Sequence, residues 1–256
     1  MRKTRANSPV TEKPRILYKE ETQMGLMDQL KIRKAMALQQ KGLKDEAMQE
    51  YEKLYQAGVI QPTYLLPYTV LLLKKGGEGS EEKVKEILKK VEKFPGLSPQ
   101  QKTQVHLNYA CAQYKLGHLA EAIHLLEASM QKHPVGTTYQ ALGYLYIEAG
   151  DVEKGLSFNQ EALEYDDEDP IVIDNMGQYY YRVLGDKEKA LPYFEKAHKI
   201  NPDQLDTLYF LARYDLEAGR KQEALEKLEQ VKKGSVSPLN YANPTRVEEL
   251  IRQCKS

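Results

Sequence analysis

Apolar positions recur along this chain at helical spacing. Val84, Leu88 and Val91 stand at i, i+4 and i+7, one face of a helix, and Val247, Leu250 and Ile251 share a face near the end. Between them come pairs three residues apart: His106 with Tyr109, Tyr139 with Leu142, Ile173 with Met176 and Leu208 with Leu211. The pattern predicts helices that each bury one side. Glycines at 117, 150, 185 and 219 close the first helix of each unit, in steps of 33, 35 and 34 residues.

Small residues keep the same beat. Ala110, Gly143, Gly177 and Ala212 fall in the first helices, Ala122, Gly155, Ala190 and Ala224 in the second, and Ser129, Ala162, Ala197 and Val231 form a third series. Two helices that cross closely need such residues, because a large side chain would wedge them apart. Leucine at Ala122 or Ala190 should cost about 1–3 kcal/mol through overpacking. A recurrence near 34 residues with this helix-turn-helix composition resembles the tetratricopeptide repeat. The resemblance implies an all-α fold, a right-handed superhelical solenoid of stacked antiparallel helix pairs, with binding as its class of function.

The expected organisation is a basic disordered tail at 1–20 and a single solenoid over 21–256. The tail holds six basic residues against Glu12 and Glu20; a basic arm touching an acidic partner or membrane is its alternative reading. Divergent helix pairs cover about 25–60 and 62–95, regular repeats about 103–135, 136–169, 170–204 and 205–233, and a capping helix 244–254. In the second pair the first helix is predicted to begin near Leu66, which would leave Pro67 in its first turn. Ser80 is expected to cap the helix after it, and Ser98 or its successors the next. Pro192 should kink its helix slightly. The repeat from Pro170 carries one extra residue at its Val183-Leu184-Gly185 turn, and Gly234 to Asn243 reads as a loop.

Composition removes several classes of function. With 37 basic and 37 acidic residues the formal charge is zero, so no nucleic-acid partner is expected. Met-Arg-Lys-Thr-Arg at the start is followed by no apolar run of signal type. The run from Tyr64 to Leu73 is far below the roughly 20 residues of a membrane span. Two cysteines, Cys111 and Cys254, give no disulfide framework and fit a reducing compartment; the expected location is cytoplasmic. The five histidines show no zinc spacing, and the glycine-rich stretch at 76–80 lacks a phosphate-loop ending. No catalytic residue, cofactor or metal is expected, and Cys111 is a poor nucleophile candidate. The acidic run at 164–169 is an inter-repeat junction that could also meet a cation or a basic partner.

A helix that packs with one face leaves a second stripe free. The resemblance implies that such stripes on the first helices line a concave surface that holds peptides. The candidates are Asn108 and Tyr114 in the first regular repeat, with Leu107, Cys111 and Lys115, and Gln140 and Tyr144 in the second, with Ile147 and Glu148. Asn175, Gln178 and Tyr181 follow in the third, with Asp174 and Arg182, then Tyr209 and Arg213 in the fourth, with Phe210 and Glu217. Amide side chains suit a peptide backbone, and tyrosines supply amphipathic area at low entropic cost. Members of the family that bind chaperones hold a terminal carboxylate with lysine and asparagine; Ile32 and Met36 occupy those places, so that activity is not carried over. The expected function is a non-catalytic adaptor for a protein or extended peptide. Self-association as a homo-oligomeric structural subunit is the second reading.

Overall fold

The computed structural model describes residues 25–256, and the basic segment 1–20 lies outside the described residues. Within them the chain is all-α. Six helix pairs follow one another: α1 (Leu26–Gln40) with α2 (Lys44–Gln56), α3 (Pro62–Lys75) with α4 (Ser80–Glu92), α5 (Pro99–Lys115) with α6 (Leu119–Lys132), α7 (Gly136–Ala149) with α8 (Val152–Tyr165), α9 (Pro170–Gln178) with α10 (Lys187–Ile200), and α11 (Leu205–Glu217) with α12 (Lys221–Lys233). A last helix, α13 (Pro244–Lys255), follows them. Each second helix packs on its own first helix and on the helix that follows it, while α3 touches α5, α5 touches α7 and α7 touches α9. The first helices therefore form one layer of the solenoid, the second helices the other.

The small-residue beat has the steric cause inferred for it. Ala122, Ala190 and Ala224 are completely buried, as are Ala162 and Ala197. A Cβ on Gly177 would stand 2.8 Å from the Phe194 ring, and one on Gly143 would stand 2.4 Å from Asn159 Oδ1. The turn glycines 117, 150, 185 and 219 all have positive φ, between 66° and 81°, which a side chain would strain. At the far end α13 buries Val247, Leu250, Ile251 and Cys254 against the last pair.

Several boundaries move. α3 starts at Pro62 rather than near Leu66, so Pro62 takes the first-turn position and Pro67 lies inside the helix. The apolar content explains the tolerance: nine residues of α3 are buried, and their packing outweighs one absent backbone hydrogen bond. Ser80 is the first residue of α4, not its cap; Gly79 precedes it in the left-handed conformation. Ser98 does cap α5, in a full capping box with Gln101, so this unit begins at Pro99 rather than 103. α10 runs unbroken through Pro192. The extra residue of the fifth pair widens the end of its first helix into a π-helical turn, Tyr179–Val183, with Leu184 N–H donating to Tyr179 C=O. That turn keeps Tyr179 and Tyr181 both buried.

Candidate binding groove

The first helices supply one wall of a concave face, and the chain itself supplies the other. Residues 234–243, between α12 and α13, turn back across the inner layer. Between them and α3, α5, α7, α9 and α11 lies a cavity of about 450 Å³. Leu73, Leu107, Tyr144 and Leu239 give it apolar walls, and Gln140 and Asn175 give it amide groups. A second depression, about 400 Å³, is bounded by Ile147, Tyr181, Arg182, Arg213 and Tyr241.

The structure thus gathers Asn108, Gln140, Tyr144 and Asn175 at the first cavity, with Leu107, Cys111 and Asp174, and Tyr181 and Arg213 at the second, with Ile147 and Arg182. Tyr114 lies beside the first, its ring edge-on to Tyr144 and its hydroxyl donating to Glu148 Oε2 at 2.7 Å. Gln178 is fully buried and Phe210 is core, stacked on Phe194, so neither presents a surface to a ligand. Tyr209 is buried against Phe210 and Tyr241.

The amides are already engaged. Asn108 Nδ2 donates to Thr69 Oγ1 (2.8 Å) and Leu66 C=O (3.3 Å), Asn175 Nδ2 to Gln140 C=O (2.9 Å), and Gln204 Nε2 to Pro170 C=O (3.1 Å). Each joins one first helix, or the residue just before it, to a carbonyl in a preceding one. Their role in the array is to stitch neighbouring pairs in register, a use that spacing alone did not reveal.

A polar chain runs along the same face. Glu148 accepts from Arg182, which donates to Gln178 Oε1 (2.9 Å); Gln178 Nε2 donates to Asp174 Oδ2 (2.7 Å) and Asp206 Oδ2 (3.4 Å). Asp206 then receives the N–H groups of Ala242 (2.8 Å) and Tyr241 (3.1 Å) and the side-chain amide of Asn240 (3.2 Å). Burial pushes both buried carboxyls up, and the charge of Asp206 adds to the rise at Asp174. Burial alone would also raise Glu148, but Arg182 and the Tyr114 hydroxyl outweigh it and hold that carboxyl low. Tyr241 is clasped by two guanidinium groups, Arg182 at 4.0 Å and Arg246 at 3.9 Å from its ring centre, and its ring lies 5.2 Å from that of Phe210. The Cys111 thiol is pushed up to about 12 by burial, with Lys115 opposing weakly, which leaves it a poor nucleophile. Among the described residues no cluster of His, Cys, Asp and Glu suits a metal, and no helix is long and apolar enough to cross a membrane.

Comparison with known proteins bears on the whole array. Models of the tetratricopeptide repeat match residues 29–57 and 184–234, one near each end of the stack. The chain carries tetratricopeptide repeats. A solved tetratricopeptide-repeat protein from Parabacteroides merdae superposes with a TM-score of 0.72 at 13% identity, over 92% of this chain and 87% of its own. PilW, a type IV pilus biogenesis factor, superposes with a TM-score of 0.60 at 14% identity, over 89% of this chain and 100% of its own. Both are likenesses of fold. Human protein arginine N-methyltransferase 9 is 33% identical over 79 residues, 29% of this chain, but the chain spans only 9% of that relative's length.

Within the tetratricopeptide-repeat array, Ile32, where chaperone-binding members need lysine, is core at 5% exposure. The acidic junction at 164–169 has a structural use, since Asp169 caps α9 through Ile171 N–H (2.8 Å) and accepts from Gln140. What the sequence reading missed is the inward course of 234–243. One signal was present: the ten residues carry no charged side chain in a protein that is 29% charged.

Proposed function

We propose that this chain is a non-catalytic protein-interaction adaptor whose concave face holds a segment of a partner protein. The observation that carries the reading is the cavity of about 450 Å³ between the first helices and residues 234–243. It combines apolar walls, Leu73, Leu107 and Tyr144, with a few polar groups at fixed positions, the chemistry that binds a peptide segment with orientation. The tetratricopeptide-repeat fold supports a role in protein association in general. A cytoplasmic setting is part of the same proposal, supported by two cysteines that stand unpaired, Cys111 and Cys254.

The test replaces a half-buried residue on the cavity wall rather than a core one. Leu107→Arg puts a long cation into the apolar part of the cavity. A partner identified by affinity capture on the purified chain, then titrated by calorimetry, should bind this variant at least about tenfold more weakly, as expected for a central contact. The helical circular-dichroism signal should be unchanged. Equal affinity in a folded variant removes the groove from the reading.

A further inference from the structure

The best-built contact on the concave face is one the protein makes with itself. Every other join between the described helices has two to six residues, whereas α12 and α13, which pack together, are joined by ten, 234–243. The length exceeds what a helix-to-helix connection needs. It is spent on crossing the groove. Gly234 lies so close to Leu205 that a Cβ would stand 2.3 Å from its Cδ2. Ser235 Oγ then accepts from Lys44 Nζ (3.2 Å) and Lys74 Nζ (3.4 Å), at the opposite end of the stack. Residues 237–240 form a turn in which Asn240 N–H donates to Ser237 C=O (3.1 Å). Leu239 packs against the apolar cluster that includes Ala141 and Tyr144, and Tyr241 enters the pocket of Phe210, Arg182 and Arg246. Two successive main-chain N–H groups end on Asp206. The arrangement has the parts of a peptide complex: two side-chain anchors, backbone bonds to a fixed acceptor, and an uncharged sequence.

We propose that 234–243 is an intramolecular ligand of the groove, and that the partner segment is of the same chemistry: uncharged, with a leucine and a tyrosine two residues apart and adjacent N–H groups that reach Asp206. Such a segment binds by taking the strap's place. The proposal rests on the adaptor reading above and names the class of partner. Tethering gives the strap an effective concentration on the order of millimolar, so the intact chain binds a competitor more weakly by the fraction of time its groove is empty.

The experiment uses a synthetic, fluorescently labelled peptide of residues 234–243 and follows its anisotropy. The titrants are the intact chain and a variant in which 234–243 is replaced by ten glycines and serines, with α13 retained. The peptide should saturate the emptied variant and bind the intact chain at least about tenfold more weakly. A peptide carrying Tyr241→Ala, or the emptied variant also carrying Leu107→Arg, should lose at least about tenfold. A folded, emptied variant that fails to bind the peptide, or binds it no better than the intact chain does, overturns the proposal; so does binding indifferent to Leu107→Arg. Should the ten-residue replacement not fold, Leu239→Ala with Tyr241→Ala in the full chain serves instead. It must then bind the peptide more tightly than the native chain, and equal binding overturns the proposal. Capture of a protein partner that Leu107→Arg weakens but the peptide never displaces would keep the adaptor reading and sink this one.

Discussion

Gly177→Ala is the sharpest probe of why this stack needs its smallest residues. The added Cβ would stand 2.8, 2.9 and 3.0 Å from three atoms of the Phe194 ring. Phe194 has no exposure, and it cannot swing aside because Phe210 lies behind it, nearly parallel, with ring centres 4.8 Å apart. Relief has to come from moving α10 away from α9. Overpacking of this kind costs about 1–3 kcal/mol, and the rigid aromatic neighbour puts it in the upper half of that range. Against it stands the gain of about 1 kcal/mol for replacing glycine by alanine within a helix. The net loss is about 1–2 kcal/mol, which for a chain of this length lowers Tm by about 2–8 °C. Gly136→Ala is the control, since its nearest neighbour would be Tyr165 Cε1 at an ordinary 3.8 Å. It should show no loss. Thermal denaturation followed by circular dichroism measures both. A Gly177→Ala chain as stable as the native one would refute the close-crossing argument.

Ser98→Ala removes the capping box of α5 and should cost about 1 kcal/mol, read as a lower urea midpoint; an unchanged midpoint would show that Pro99 at the first position suffices. The buried acids set a pH trend. Asp174, raised from 3.8 to about 7 by burial and by Asp206, binds its proton more tightly in the folded chain. Its contribution to stability is therefore full below about pH 4 and lost as pH rises through about 7. Asp174→Asn should make stability fall less, relative to the native chain, across that window in urea midpoints taken pH by pH; parallel curves would count against it. Asp206→Ala removes the acceptor of three strap donors and should release 234–243 to limited proteolysis while α5 to α10 stay intact; native-like resistance would mean the strap is held by its side chains alone.

The repeat was legible because its determinants are local and steric. Gly143 and Gly177 are small where the side chain of a neighbouring helix leaves no room for a Cβ, Ala122 and Ala190 are completely buried, and positive-φ glycines follow each first helix. The inner stripe was legible as a face, since angular offset on a helix follows from residue number. What each stripe residue does there was not. Asn108 and Asn175 looked like donors for a ligand, yet their partners are carbonyls 42 and 35 residues earlier. Gln178 and Phe210 share the stripe's angle but are covered by neighbours from other pairs. The strap depends on the curvature of the whole stack, which brings Ser235 to Lys44 across 191 residues. No periodicity reports such a contact. The helix start at Pro62 was missed for a related reason: the burial that offsets Pro67 belongs to the packed array.

The account stands on a chain segment lying in the concave face, and amide hydrogen exchange tests that most directly. Tyr241 and Ala242 lie outside any helix, where free amides exchange within seconds, but their N–H groups donate to the buried Asp206. Residue-resolved exchange should find both protected to a degree comparable with the amides of α11, and Asp206→Ala should abolish the difference from an ordinary loop. Rapid exchange at both positions in the native chain would contradict the occupied groove.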